Sequence, residues 1–443
     1  MCPRFAVAPE AVHQTLARHL QTKGLPLVLD LDKSHGSWAH DARSGKEYLD
    51  LTSFYAANAL GFNHAGLSDA ETEDRLLRAS SCKVGNPDFY TTYLAEFVET
   101  LANTAAPAEL PHYFFVEGGA LGVENAMKAA FDWKVRKNLA AGRHESGSQI
   151  LHFTNAFHGR SGYTLSVTNT DPVKTAHFPK FDWPRVHAPS ISFPLDAHNR
   201  AAVERAEAQS LNDIERAFAE RGHDIAAILI EPIQSEGGDN HFRSEFLRKL
   251  RSIADEREAL LIFDEVQSGM GMTGRWWCCQ HFDVLPDILT FAKKMQVGGM
   301  LVSRRIDEVE GNVFRIPGRI SSTWGGALVD MVRATRILEL IESEHLLENA
   351  AKLGDVLLDD LQRLSARFPK VLSNARGLGL LCAVDVPNAD LRSKILEQAF
   401  AQQLLLLPCG SHSIRFRPHL TVSAEVIAEG LKRFGSAVEK ALA

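Results

Sequence analysis

The 443-residue sequence predicts an α/β fold, with a mainly parallel central sheet covered by helices and a smaller α+β lobe drawn from both chain ends. Three observations lead there. Short apolar runs alternate with stretches of helical periodicity through the middle of the chain. The runs are apolar throughout rather than in alternation, as strands buried on both faces are. Each run also ends in its own polar motif, and in an open parallel sheet the ligand site lies beyond the carboxyl ends of the strands.

The elements follow in order. In the first fifty residues LVLD, GSWAHD and KEYLDL stand between turn residues and suggest a small β meander, so 1–55 is assigned to the smaller lobe. The large domain is assigned to 56–325. Its strands are HYFFV (112–116), QILHF (149–153), AAILI (226–230), ALLIF (259–263) and DILTF (287–291), rich in Val, Ile, Leu and Phe and ending abruptly in polar turns. LGVENAMKAAFDWKVRK (121–137) places Val123, Met127, Ala130 and Phe131 on one face and predicts a helix. The charged segment 196–221 predicts a solvated helix. The rest of the smaller lobe, 326–443, holds the long amphipathic stretch 331–364, a short GLGLLCAVDV segment and a final helix over 426–442. Length alone allows about three domains; the pattern reduces them to two.

Composition narrows the function classes. With 45% hydrophobic and 23% charged residues the chain falls in the ordinary globular range. Its 48 Lys and Arg against 55 Asp and Glu give a net charge of −7, so no global basic field recommends nucleic acid or an anionic membrane. Any anion site is local. Cys2, Cys82, Cys278, Cys279, Cys382 and Cys409 are too sparse for a disulfide framework, and their spacing suggests no metal site. The opening MCPRFAVAPEAVHQTL has neither a basic leader nor a long apolar run, and no stretch approaches the roughly 20 apolar residues of a membrane span. A reducing cytoplasm is the expected compartment.

The strand ends carry the chemistry. HYFFV runs into EGGA, QILHF into TNAFHGR, AAILI into EPIQSEGG, ALLIF into DEVQSG and DILTF into AKK. An acidic pair after a strand is commonly a helix cap, and gains chemical meaning only with a partner. Lys293 supplies it: a lysine at the mouth of an apolar strand has its ammonium form disfavoured by desolvation, as a Schiff-base lysine requires. Asp264 nearby could keep a pyridinium nitrogen protonated, the recurring arrangement of pyridoxal 5'-phosphate sites. In EGGALGVENAMKAA the glycines permit close approach of an oxyanion to a helix N-terminus, though most such turns are only turns. Phe157 could stack on a planar ring and Arg160 could fork onto a carboxylate; their plainer roles are core packing and a surface ion pair.

With these residues in view, the sequence resembles the class III (ω-amino) aminotransferases of the type I pyridoxal phosphate fold along nearly its whole length. LLIFDEVQSGMGMTG (260–274) and PDILTFAKK (286–294) carry the class resemblance. FFVEGGALGVENAMKAAFDW, NAFHGRSGYTLSVTNTDP, FPKFDWPR, EPIQSEGGDNHFR, STWGG and IRFRPHLTV are similar to the lysine 6-aminotransferase branch. The resemblance implies that Lys293 carries the cofactor as a Schiff base and shuttles the substrate proton, with Lys294 its rival. It implies further that Asp264 pairs with the pyridine nitrogen, Val266 packs under the ring, Gln267 reaches the phenolic oxygen and Phe157 stacks on the opposite face. Gly119 and Ala120 would bind the phosphate through backbone N–H groups, and Ser322 and Thr323 would serve the site of a second subunit in a homodimer. No metal is implied.

The same resemblance implies the transfer of the terminal amine of L-lysine to 2-oxoglutarate, giving glutamate and 2-aminoadipate 6-semialdehyde, which cyclises. Arg160 would hold the remote carboxylate of either substrate and Arg415, rather than its neighbour Arg417, the carboxylate beside the ketone. When lysine is bound Arg415 would lack a partner, and an unpaired buried charge costs several kcal/mol. Glu236 matches the family acid that pairs with this arginine and swings away for the diacid. The chain departs from the branch pattern at Ser321, Ser235 and His419. At the substrate-binding position Ser321 the change could weaken a hydrogen bond to the glutamate switch, and Ser235 could stiffen its turn, so these departures keep another diamine or ω-amino acid (ornithine, diaminobutyrate or 4-aminobutyrate) open as donor. A pyridoxal phosphate racemase or epimerase explains Glu236 and Arg415 less well. A pure binding module is disfavoured by Lys293 and Asp264, and a dinucleotide enzyme by the lack of G-x-G-x-x-G after an early strand.

Overall fold

The computed structural model describes residues 4–443; Cys2 lies outside them. A seven-stranded sheet runs through the centre in the order His112–Val116, Gly298–Val302, Ile288–Phe291, Leu260–Asp264, Ile225–Ile230, Gln149–Phe153, Arg185–Val186. Six strands are parallel, and Gly298–Val302 is antiparallel to both its neighbours. The continuous apolar runs are strands for the reason their composition suggests: all six residues of Ile225–Ile230 and all five of Leu260–Asp264 are buried, which requires helices on both faces.

One of those is Gly119–Ala140, whose apolar face rests on the sheet. Gly122 makes the close approach possible, since a Cβ there would stand 2.9 Å from the Gly299 carbonyl oxygen. The predicted helix at 196–221 is Ala197–Arg221; it is polar on most of its surface but buries Val203, Ile214 and Phe218.

The two chain ends share structure. Leu29–His35, Trp38–Asp41 and Glu47–Asp50 form an antiparallel meander, and Leu404–Leu405 joins it parallel to Glu47–Asp50. A second four-stranded sheet is built from Ser373–Leu378, Leu381–Asp385, Ser413–Phe416 and Leu407–Cys409. The amphipathic stretch 331–364 is two helices, Leu328–Ser343 and Leu346–Arg367, broken where His345 adopts φ 54°. The final helix is Ala424–Leu442. One apolar cluster extends from Leu49 through the sheet to Val438. Among the described residues no helix is long and apolar enough to cross a membrane, and Cys82, Cys278, Cys279, Cys382 and Cys409 are free.

Candidate active site

Strand register brings the polar motifs to one edge. Phe263 pairs with Ile230 and Asp264 with Thr290, so Glu231, Asp264 and Lys293 leave adjacent strands side by side. They open onto a cavity of about 1010 Å³ that Gly119, Ala120, Phe157, Arg160, Lys174, Glu236, Val266 and Gln267 also line.

The two lysines diverge. Lys293 turns at φ 53° and lines the cavity, with its Nζ donating to the Tyr55 carbonyl at 2.8 Å. Burial lowers its pKa to about 8, and the charge of Arg415 acts in the same direction. Lys294 is fully buried and donates to the Ala56 carbonyl at 3.0 Å, so burial and the adjacent Lys293 hold it well below the ordinary lysine value. Both carbonyls belong to a left-handed run, Ser53, Phe54, Tyr55 and Ala56, with φ from 38° to 65°. Non-glycine residues keep that conformation only where their surroundings over-determine it.

Asp264 is buried and fixed from three sides. Its Oδ2 lies 2.8 Å from His158 Nδ1, while Oδ1 accepts from the Val266 amide at 3.1 Å and from Thr290 Oγ1 at 3.4 Å. Glu231 accepts from the amide of Phe157 at 3.0 Å and from that of Ser235 at 3.1 Å. It thereby ties the aromatic wall to the turn that carries Glu236. Burial, and then the Asp264 carboxylate, push Glu231 well above the usual carboxylate range.

Cations gather at and behind the cavity wall. Arg160 is exposed there, and among the described residues no hydrogen bond or ion pair involves its side chain. Arg415 is buried behind the wall, covered by Glu236 and Gln267: Nη2 donates to Glu236 Oε2 at 2.9 Å and Nη1 to Gln267 Oε1 at 3.2 Å. Its Nε is buried without a partner. Burial would raise the Glu236 pKa, but Arg415 and Lys174 outweigh it and hold the acid below its ordinary value. Arg417 is also fully buried. It is ion-paired to the equally buried Asp239 and donates to the carbonyls of Phe416 and Cys382 at 2.8 and 3.2 Å. The two arginines are thus distinguished by partner, one acid lying on the cavity wall and the other in the core. Gln267 turns its oxygen to both arginines, its second acceptance being from Arg417 Nε at 3.3 Å.

The start of the helix Gly119–Ala140 is an anion cradle. Gly118, at φ 85°, precedes the helix Gly119–Ala140, whose first-turn amides lack intrahelical partners. A Cβ at Gly119 would stand 2.9 Å from Val266 Cγ1, so only glycine lets the helix start approach the valine wall. Cradle, the Val266 and Phe157 walls of the cavity, buried acid and lowered lysine together suit pyridoxal phosphate: a phosphate, a planar ring, a pyridine nitrogen and an aldehyde.

Ser321, Ser322 and Thr323 are not brought to this cavity. Ser321 and Thr323 are exposed and Ser322 partly so, its Oγ accepting from the Gly325 amide at 3.0 Å. Of the departures, His419 is explained by packing: its Nε2 lies 2.6 Å from Ser37 Oγ and its Nδ1 2.7 Å from Thr421 Oγ1. Ser235 is buried with an unpartnered Oγ. Sequence reasoning missed His158, Glu231 and Lys174. Glu231 was accessible by the rule that singled out Asp264, being the first residue after an apolar strand. His158 adjoins Phe157 but shows its purpose only against Asp264. Lys174 carries no local signal.

Comparison with known proteins bears on the whole chain. A family model described as aminotransferase class-III matches residues 20–438. The chain is 50% identical over 432 residues to the L-lysine-epsilon aminotransferase of Mycobacterium tuberculosis, covering 97% of this chain and 96% of the relative. It is 48% identical over 439 residues to that of Amycolatopsis lactamdurans, covering 98% and 97%. The solved structure of lysine aminotransferase from M. tuberculosis superposes with a TM-score of 0.96 at 49% identity, covering 98% of this chain and 100% of that one.

Proposed function

The chain belongs to the class III aminotransferases, a pyridoxal-phosphate-dependent family, and we propose that it transfers the ε-amino group of L-lysine to 2-oxoglutarate, giving 2-aminoadipate 6-semialdehyde and glutamate. The observation that carries this reading is the Arg415–Glu236 pair at 2.9 Å, with Glu236 lining one cavity together with Arg160 and Lys293. One site has to accept a donor that brings no second carboxylate and an acceptor that brings two. A guanidinium covered by a wall-mounted acid serves both.

Pyridoxal phosphate, when bound, supplies an electron-withdrawing ring that stabilises negative charge at the carbon losing its proton. The remaining tasks fall to the chain's side chains. Asp264, steadied by His158 and Thr290, would keep a proton on the pyridine nitrogen. Lys293 moves the proton at the reacting carbon, and its lowered pKa makes the free amine accessible near neutrality. Val266 and Phe157 would hold the ring plane, and the first-turn amides of Gly119 and Ala120 would bind the phosphate. Gln267, whose Oε1 accepts from both arginines, would offer its Nε2 to the ring oxygen. Arg160 takes the α-carboxylate of lysine, which directs the far amine to Lys293.

The relatives named lysine aminotransferases support lysine as donor. The deciding experiment is a panel of lysine, ornithine and 4-aminobutyrate with 2-oxoglutarate and product identification. The expected result is the highest kcat/KM for lysine with a cyclising semialdehyde as product; a tenfold preference for another donor would overturn it. We also propose a homodimer in the cytoplasm, with Ser322 and Thr323 completing the neighbour's phosphate site. Sedimentation should give twice the 48.9 kDa of one chain, and an active monomer would refute shared sites.

A further inference from the structure

Lys174 closes a short turn, Pro172–Lys174, and has no part in the chemistry above. Its Nζ lies 2.7 Å from Glu236 Oε1 and 3.0 Å from Thr170 Oγ1, and stands over the Phe157 ring at 5.3 Å from the centroid. Glu236 therefore divides its carboxylate between two cations, Oε1 to Lys174 on the cavity wall and Oε2 to Arg415 behind it.

That division matters for access. Arg415 is 1% exposed, so a substrate carboxylate reaches it only after Glu236 Oε2 has left. An acid held by Arg415 alone would become an unpaired charge on leaving, in a place where three-quarters of its side chain is covered, given 26% exposure. Lys174 removes that penalty. Its bond is to the other oxygen, its flexible stem can follow the carboxylate, and Lys174, Glu236 and the Phe157 ring beneath the amine all line the cavity, so movement of Glu236 toward Lys174 is movement along the wall.

We propose that Lys174 is a specificity-determining residue: it receives Glu236 when the acid gives up Arg415, and so sets how readily the site admits a dicarboxylic substrate. This rests on Arg415 being the second carboxylate site of a two-substrate transaminase. The effect falls on the acceptor alone, because with a monocarboxylic donor bound Glu236 stays on Arg415.

The test uses the holoenzyme with glutarate, a five-carbon dicarboxylate that cannot react, and with 2-oxoglutarate. Lys174→Met should raise both the glutarate Kd and the 2-oxoglutarate KM by about five- to tenfold, the loss of one charge-assisted hydrogen bond, with kcat and the lysine KM within twofold. Lys174→Arg should restore binding. In a Glu236→Gln background, Lys174→Met should change neither constant, because no charge remains to be received. Unchanged or tighter glutarate binding by Lys174→Met would mean that Lys174 locks the acid in place, and would overturn the proposal. An equal penalty in both backgrounds, or failure of Lys174→Arg to rescue, would overturn it as well. A wild-type enzyme that neither binds glutarate nor uses 2-oxoglutarate would instead refute the carboxylate site itself, and the role of Lys174 with it.

Discussion

Arg415 and Arg417 stand two residues apart, both buried and both donating to the same Gln267 oxygen, yet they occupy different regions in a functional sense. Arg417 is matched to Asp239, an acid with no exposed surface, and to two backbone carbonyls. Arg415 is matched to Glu236, which faces the cavity and has a second cation to turn to. Lys293 and Lys294 repeat the contrast, one amine on the cavity wall and its neighbour against a core carbonyl. A buried charge whose partner is buried is part of the scaffold. One whose partner can leave is available to substrate. Residue type and spacing do not separate the two cases; the location of the partner does.

The lysine pair offers the largest test of that distinction. Lys293→Ala should lower turnover by on the order of 10³-fold, within the range for loss of a general acid–base group, and leave the melting temperature close to wild type. Lys294→Met should keep turnover within tenfold. Equal losses of turnover from both would erase the contrast.

The acid pair comes next and reverses the readout. Asp239→Asn leaves Arg417 an uncompensated buried charge and should cost about 3–5 kcal/mol in urea unfolding. Glu236→Gln also takes the acid from a buried arginine, but that acid is 26% exposed on the cavity wall, so it should cost less than Asp239→Asn, while lowering the 2-oxoglutarate KM because Arg415 is held less firmly. If the two substitutions cost the same stability, partner location is not what distinguishes the arginines.

The smallest effect is one of pH. With a pKa of about 8, the Lys293 amine is protonated below that value and free above it. In cofactor-free protein its acylation by acetic anhydride, followed by peptide mass spectrometry, should rise with pH and level off above about 8. An ordinary lysine continues to rise toward 10.5. A plateau near 10.5 would show that the cavity does not lower this amine.

Much of this was legible in the sequence because strands buried on both faces must be apolar throughout, which leaves their polar ends conspicuous. HYFFV and QILHF have the bounds the sequence suggests, and Asp264, Lys293, Phe157 and Arg160 reach one cavity. Gly298–Val302 escaped because GGMLV follows a single 3₁₀ turn, Lys293–Met295, with no crossover helix between, the pattern of an antiparallel neighbour in a chain otherwise built of crossovers. The break at His345 escaped because no Gly or Pro marks it. Lys174 and His158 escaped for a different reason: each derives its purpose from an acid far away in the chain, Glu236 and Asp264, and pairings of that kind exist only after folding.

The account as a whole turns on which nitrogen leaves the donor. Lysine labelled with ¹⁵N at the ε position, incubated with the holoenzyme and unlabelled 2-oxoglutarate, should deliver the label to glutamate and leave an unlabelled cyclic product. Recovery of the label in the keto or cyclic product, with unlabelled glutamate formed, would mean that the α-amine is transferred. Lysine would then be bound the other way round, and the assignment of Arg160 to its carboxylate would be wrong.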